Sequence, residues 1–296
     1  MEDFSQPDLA ALARQQFITA HSSCGDCLPY HALWPYLRLT GRVGGVEADQ
    51  HYLTPLLREV LGCTRRRVLI AGSADTGVTA LVHHAAGLTA GLHDITVVDR
   101  CDTPLAACRQ YGLAHGLRIT TVQSDLRALA VHETADVIVG HSILPFLDAD
   151  GRHAVLCRLQ DALAPGGRMV LTTRLAAAGQ SSGASSHQAS GWAVETRSAT
   201  QHSLQRLGIA PPCPSEAFDA LLQNYAQRPN HAGYGAPYTS RAELEAELAS
   251  AGFWVEQWVE SGKGTAFLDN GHVQKNARQG LVAVTFAKVD TPKSRA

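Results

Sequence analysis

From Arg66 onward, short apolar runs of branched residues alternate with segments of helical length, and this alternation constrains the fold more than any other feature. "RRVLIA" (66–71), "DITVVD" (94–99), "RITTVQ" (118–123), "ADVIVG" (135–140) and "RMVLTTR" (168–174) read as strands. Helices are expected between them at about Thr76–Ala90, Leu105–His115 and Asp150–Leu163. Buried-type strands alternating with helices of about 10 to 15 residues imply an α/β architecture, a mostly parallel, doubly wound sheet. In such sheets ligands bind outside the carboxyl ends of the strands.

The flanking segments read differently. Asp8–His21 has helical spacing, "CLPYHALWPYLRLTG" (27–41) is broken by Pro29 and Pro35, and Tyr52–Gly62 is a helix stopped at Gly62. These make an N-terminal helical cap over 1–62, ahead of a ligand-binding core over 63–175. Residues 175–200 are rich in Ala, Ser and Gly and read as a mobile excursion, either a tolerated insertion or a lid. It opens a region, 176–252, of insertion and substrate-cap helices at Ser215–Gln227 and Arg241–Ala251. In 253–290, "FWVEQWVE" and "GLVAVTFAKV" form an antiparallel pair that completes the sheet.

Composition excludes several classes. A formal net charge of −2 and scattered basic residues give no footprint for nucleic acid or an anionic membrane. Apolar runs fall short of a bilayer span, and "MEDFSQPDLA" is no secretory signal. Seven irregularly spaced cysteines fit reduced thiols, so the expectation is a cytoplasmic protein.

The turn after the first strand, "GSADTG", reads as G-x-A-x-x-G through Gly72, Ala74 and Gly77. Two glycines there let a ligand approach the backbone. Asp99 ends the second strand, where a carboxylate can accept both hydroxyls of a ribose. Asp125 in "QSDL" follows the third strand, within reach of an adenine amino group, and Pro165-Gly166-Gly167 precede the fifth. With the antiparallel last strand, these motifs resemble the class I S-adenosylmethionine-dependent methyltransferases over roughly residues 60–175. The resemblance implies a seven-stranded Rossmann-like sheet and S-adenosyl-L-methionine as cofactor. It places Gly72, Ser73, Ala74, Asp75, Gly77, Asp99, Arg100, Ser124, Asp125, Leu126 and His141 around that cofactor. The turn departs from the family pattern: it is one residue longer, and Ile70 and Ala71 stand where an acidic residue is usual. Asp75 either contacts the methionine amino group or caps the next helix.

His141, in "GHSILPF" after the fourth strand, is the candidate catalytic residue, as a base or orienting donor; packing or cofactor positioning is its other reading. Tyr30, His31, Trp34, Tyr225, Tyr234 and Tyr238 are candidates for the wall of an acceptor pocket, where aromatic faces attract cations. Trp34 has a second reading as glue between cap and sheet. Cys24, Cys27 and His31 form C-x-x-C-x-x-x-H with no second pair at zinc-site spacing, so no metal is assigned; Cys63 and His21 are unmarked candidates for a fourth ligand.

The expectation is a methyltransferase acting on a small molecule in biosynthesis. Two alternatives stand beside it: a cyclase turning S-adenosyl-L-methionine into azetidine-2-carboxylate and methylthioadenosine, and a non-catalytic binder of the same cofactor. The partner is a small molecule, not nucleic acid or membrane. The oligomeric state is open, with a homodimer among the options.

Overall fold

The structure, a computed structural model, describes residues 9–130, 134–173, 175, 186–227, 238–261, 268–269, 272–273 and 280–288. Helices α1 (Leu9–Ser23), α2 (Leu28–Leu39) and α3 (Gln50–Leu61) come first. The alternating part follows as β1 (Arg67–Ala71), α4 (Gly77–Ala86), β2 (Asp94–Asp99), α5 (Asp102–His115), β3 (Arg118–Gln123), β4 (Ala135–His141), α6 (Ala149–Ala162) and β5 (Leu163–Thr172). Helices α7 (Ser186–Arg206), α8 (Ser215–Gln227) and α9 (Arg241–Ser250) precede β6 (Phe253–Ser261), the short β7 (Leu268–Asp269) and β8 (His272–Val273), and β9 (Gly280–Lys288).

Strands β1 to β5 are parallel, and the sheet runs β3-β2-β1-β4-β5-β9-β6 with β9 antiparallel to both neighbours. The order reverses direction between β1 and β4, which marks the crevice above their carboxyl ends. Alternating side chains feed two cores. Val68 and Ile70 pack with α3, α4 and α5 on one face, whereas Leu69 and Ala71 pack with α6 and α9 on the other.

A third layer draws on distant segments. Leu33 and Leu37 of α2 pack with Phe218, Leu222 and Tyr225 of α8, while Ala13, Tyr36 and Leu204 join α1, α2 and α7. Helix α1 also packs on α5, which itself lies against β2 and β3, so this layer reaches that side of the sheet.

Several expectations are corrected. Pro29 and Pro35 do not break α2. Pro29 sits in the first turn, where its missing N–H has no intrahelical role. Pro35 deprives the His31 carbonyl of its i+4 donor, and Gln16 of α1 supplies one instead, Nε2 to O at 3.2 Å. The excursion expected over 175–200 is helical from Ser186, with residues 176–185 outside those described. The turn "PGG" lies inside β5 rather than before it, at a register shift against β4. There Gly166 takes φ +70°, and a Cβ on Gly167 would stand 2.9 Å from the Ala164 carbonyl.

Candidate functional site

The carboxyl ends of β1, β2, β3 and β4 share one rim of the sheet, and each delivers a residue singled out by sequence. At the end of β1, Gly72 has φ +75° and donates its N–H to the Val98 carbonyl at 2.8 Å. A side chain there would be strained, and its Cβ would meet Ile143 Cγ2 at 2.8 Å. Leu126 approaches the same point from the β3 side.

Asp99 joins two strand ends. Its Oδ2 accepts from the Ser73 N–H at 2.9 Å and its Oδ1 from the Cys101 N–H at 2.8 Å. Burial pushes this carboxyl above its ordinary value, against the pull of the two backbone donors and His31. Ser124 is held by donating its N–H to the Asp99 carbonyl at 2.9 Å. Asp125 is already engaged: it caps the short turn at Leu126–Ala128 and pairs with Arg127, Nη2 to Oδ2 at 2.6 Å. Arg100 is exposed, its carbonyl accepting from Gln123 Nε2 at 3.2 Å.

The glycine turn itself is clamped by the helical layer. Gln16 Nε2 donates to the Ala74 carbonyl at 2.8 Å, and Ser73 Oγ to the Asp75 carbonyl at 2.5 Å. Asp75 is buried at 5% exposure; Arg38 and Trp34 Nε1 donate to its Oδ2, and the Gly77 N–H to its Oδ1 at 2.7 Å. Asp75 thus holds the Gly77 N–H at the start of α4, whose N-cap residue Thr76 makes no side-chain cap bond, and its other oxygen goes to Arg38 and Trp34. Arg38 also pairs with Glu47, so a buried cation is neutralised by two carboxylates.

His141 ends β4 with Nε2 2.8 Å from Asp49 Oδ2. Asp49 closes the short helical turn Val46–Asp49 ahead of α3, so the pair joins the first sixty residues to the sheet rim. The next residue, Ser142, has φ 53°, a left-handed conformation that costs a residue with a Cβ about 1 kcal/mol or more. It is held by Thr172, whose Oγ1 accepts the Ser142 N–H at 2.9 Å. Such strain concentrates where a chain must aim a side chain.

The aromatic candidates divide. Tyr30 stacks on Tyr225 at 6.0 Å and meets Phe146, in the loop after His141, edge-on at 5.8 Å. Trp34 and Tyr225 are buried in the cluster that joins α2 to α8, and Trp34 does not pack on the sheet in that cluster. Tyr238 is corrected: it is fully buried in the core beside α6 and α9, with the Arg152 guanidinium 5.2 Å from its ring centre. Tyr234 lies outside the described residues. His31 is also corrected. It is 4% exposed, beneath α1 and beside Cys27 and Cys101, whose thiols outweigh burial and bring its pKa to about 9.

That last contact belongs to a cluster of which local spacing reveals all but Cys101. Cys24 Sγ lies 3.3 Å from Cys101 Sγ and 3.1 Å from Thr103 Oγ1, and Cys27 Sγ lies 3.6 Å from Cys101 Sγ. Gln16, Arg38, Asp49 and Cys101 are the residues that sequence reasoning missed. Only Cys101 carried a signal, by standing two residues after Asp99.

Comparison with known proteins agrees with this architecture. The family model described as a methyltransferase domain matches residues 72–167. No curated protein sequence matches the chain. Among solved structures, the 1,6-didemethyltoxoflavin-N1-methyltransferase of Burkholderia thailandensis, with S-adenosylhomocysteine bound, is 17% identical, TM-score 0.52, covering 98% of this chain and 93% of that one. A possible exported protein of Bordetella parapertussis is 14% identical, TM-score 0.52, covering 95% of each chain. The N-methyltransferase NodS of Bradyrhizobium japonicum, with S-adenosylhomocysteine, is 14% identical, TM-score 0.50, covering 88% of this chain and 99% of that one.

Proposed function

We propose that this chain, whose residues 72–167 match a methyltransferase-domain model, binds S-adenosyl-L-methionine on the β1–β4 rim and methylates a small molecule. One arrangement carries the reading. The Asp99 carboxylate bridges the glycine turn and the β2 end, while His141, held by Asp49, ends β4 on the same rim.

The residues fit this cofactor. Asp99 uses one lone pair of each oxygen for a backbone donor, which leaves acceptor capacity for two ribose hydroxyls. Gly72 admits no side chain where the ligand's backbone contacts would lie. Leu126 and Ile143 offer apolar surface to a base. Bound there, S-adenosyl-L-methionine supplies an electrophilic methyl group on a sulfonium. Two of the structural neighbours were themselves crystallised with S-adenosylhomocysteine.

The chain's own residues then position and deprotonate the acceptor. With Nε2 committed to Asp49, the neutral imidazole of His141 presents Nδ1 as the proton acceptor, and Asp49 fixes that tautomer. Tyr30 meets Phe146, which follows His141 by five residues, so an aromatic or cationic acceptor would suit a wall built from this pair. The net charge of −2 supports a small acceptor over nucleic acid.

The test combines binding with turnover. The protein should bind S-adenosylhomocysteine in calorimetry and consume S-adenosyl-L-methionine only when an acceptor is present. His141→Ala and Asp49→Ala should each lower kcat by about 10²- to 10⁴-fold with cofactor affinity little changed, and the double variant should be no slower than the worse single one. Methylthioadenosine released from S-adenosyl-L-methionine alone would establish the cyclase instead. Failure to bind either cofactor form would overturn the proposal.

A further inference from the structure

The thiol cluster lies apart from the proposed methyl-transfer chemistry and has the composition of a closed metal site. The side chains of Cys24, Cys27 and Cys101 bring their sulfurs within 4.8 Å of one another, and none is in a disulfide. A tetrahedral zinc–thiolate site has Zn–S bonds of about 2.3 Å, which sets neighbouring sulfurs about 3.8 Å apart. The observed separations of 3.3 and 3.6 Å are close to that spacing.

His31 is the candidate for the fourth ligand, although its ring nitrogens lie outside the 4.8 Å group that the three sulfurs form. Its ring is 4% exposed and lies beside Cys27 and Cys101, and its Nδ1 has no hydrogen-bond partner. A buried imidazole nitrogen without a partner is costly unless something else engages it. The N-terminal ligands follow C-x-x-C-x-x-x-H along the start of α2, while Cys101 arrives from the turn between β2 and α5. Surrounding contacts hold the ligands in place: Thr103 Oγ1 beside Cys24, and Gln16 Nε2 on the His31 carbonyl.

We propose that the thiolates of Cys24, Cys27 and Cys101 bind one zinc ion and that the His31 ring turns or shifts toward them to complete a four-ligand protein site. Four protein ligands leave no open position, so the ion is structural rather than catalytic. It clips the helical layer to the β2 end across 74 residues of chain, from Cys27 to Cys101. Because the Cys101 N–H is donated to Asp99 Oδ1, the clip also fixes the carboxylate assigned to the ribose.

The test uses the full chain, purified under thiol reductant without added metal. Mass spectrometry of metal content should find one zinc per chain. Cys101→Ser should weaken zinc retention at least about 100-fold, measured against a chelator, whereas Cys63→Ser, at an exposed thiol outside the cluster, should retain it fully. Replacement by Co²⁺ in the unmutated protein should give thiolate-to-cobalt charge transfer and tetrahedral visible bands, a readout that stands even if Cys101→Ser fails to fold. Equal zinc retention by a folded Cys101→Ser variant would mark adventitious metal and overturn the proposal. So would wild-type protein that takes up neither ion, or that loses two hydrogens between Cys24 and Cys101 on mild oxidation while binding none.

Discussion

Asp99 ends β2 and Asp125 stands two residues past the end of its parallel neighbour β3, and their surroundings give them opposite character. Asp99 at the end of β2 accepts hydrogen bonds from two backbone N–H groups, and burial raises its pKa against their pull and that of His31. Asp125, just past β3, is paired with Arg127, chiefly by side-chain hydrogen bonds that lower its pKa. The contrast shows that position along the sheet rim does not by itself make a ligand site. What matters is whether the carboxylate's charge is already satisfied. Asp99 is poised with unspent acceptor capacity in a water-poor setting, where a charge-assisted bond to a ligand hydroxyl is strong. Asp125 must share its oxygens with a guanidinium before it can serve an adenine.

The largest effect expected from this contrast is on cofactor affinity. Asp99→Ala removes the acceptor for both ribose hydroxyls and also strands the Ser73 and Cys101 N–H groups. Loss of even one charge-assisted bond of about 1.5 kcal/mol weakens S-adenosylhomocysteine binding at least tenfold in calorimetry. Unchanged affinity would remove Asp99 from the site and with it the asymmetry between the two strand ends.

Local pattern made the sheet legible and left the helical layer obscure. The strands at 94–99 and 118–123 carry their own periodicity and turn signals, so their boundaries match the expected ones. The antiparallel placement of the last two strands was also foreseeable, since a glycine-containing connection joins them. Helix α2 was not, because Pro35 orphans the His31 carbonyl and the replacement donor comes from another segment. Here that segment is Gln16, fifteen residues earlier. The candidate site divides in the same way. Gly72, Asp99 and His141 announced themselves by their place after strands. Asp49, Arg38 and Cys101 are set by long-range packing of α1, α2 and α3 on the sheet, and no spacing encodes it. Asp75 shows the cost of reading a motif alone, because its neighbours in sequence cannot reveal that Arg38 and Trp34 claim it.

A smaller effect is expected at the β3 end. Asp125→Ala loses a pairing with Arg127 that is largely exposed, and such pairs contribute about 1 kcal/mol or less. S-adenosylhomocysteine affinity should therefore fall by less than about fivefold, well short of the Asp99 change. A loss equal to that of Asp99→Ala would show that Asp125 releases Arg127 when the cofactor binds, and the two strand ends would then be equivalent.

The smallest effect separates the two carboxylates without any ligand. Because the folded Asp99 pKa is raised above its ordinary 3.8, folding favours its protonated form, and that contribution is lost as pH rises through the raised value. Asp125 behaves in the opposite sense: its contribution is present above 3.8 and is lost as pH falls through the lowered value. Asparagine removes the titration at either site. At position 99 its NH₂ also faces one backbone N–H, but that cost does not vary with pH. Measured as thermal midpoint against pH, Asp99→Asn should gain stability relative to wild type as pH climbs above 3.8. Asp125→Asn should instead lose relative stability as pH climbs toward 3.8 from below. Opposite slopes would establish that burial governs one strand end and ion pairing the other. Slopes of the same sign would mean that Asp99 is as well paired as Asp125, and its place as the unsatisfied acceptor on the rim would fall.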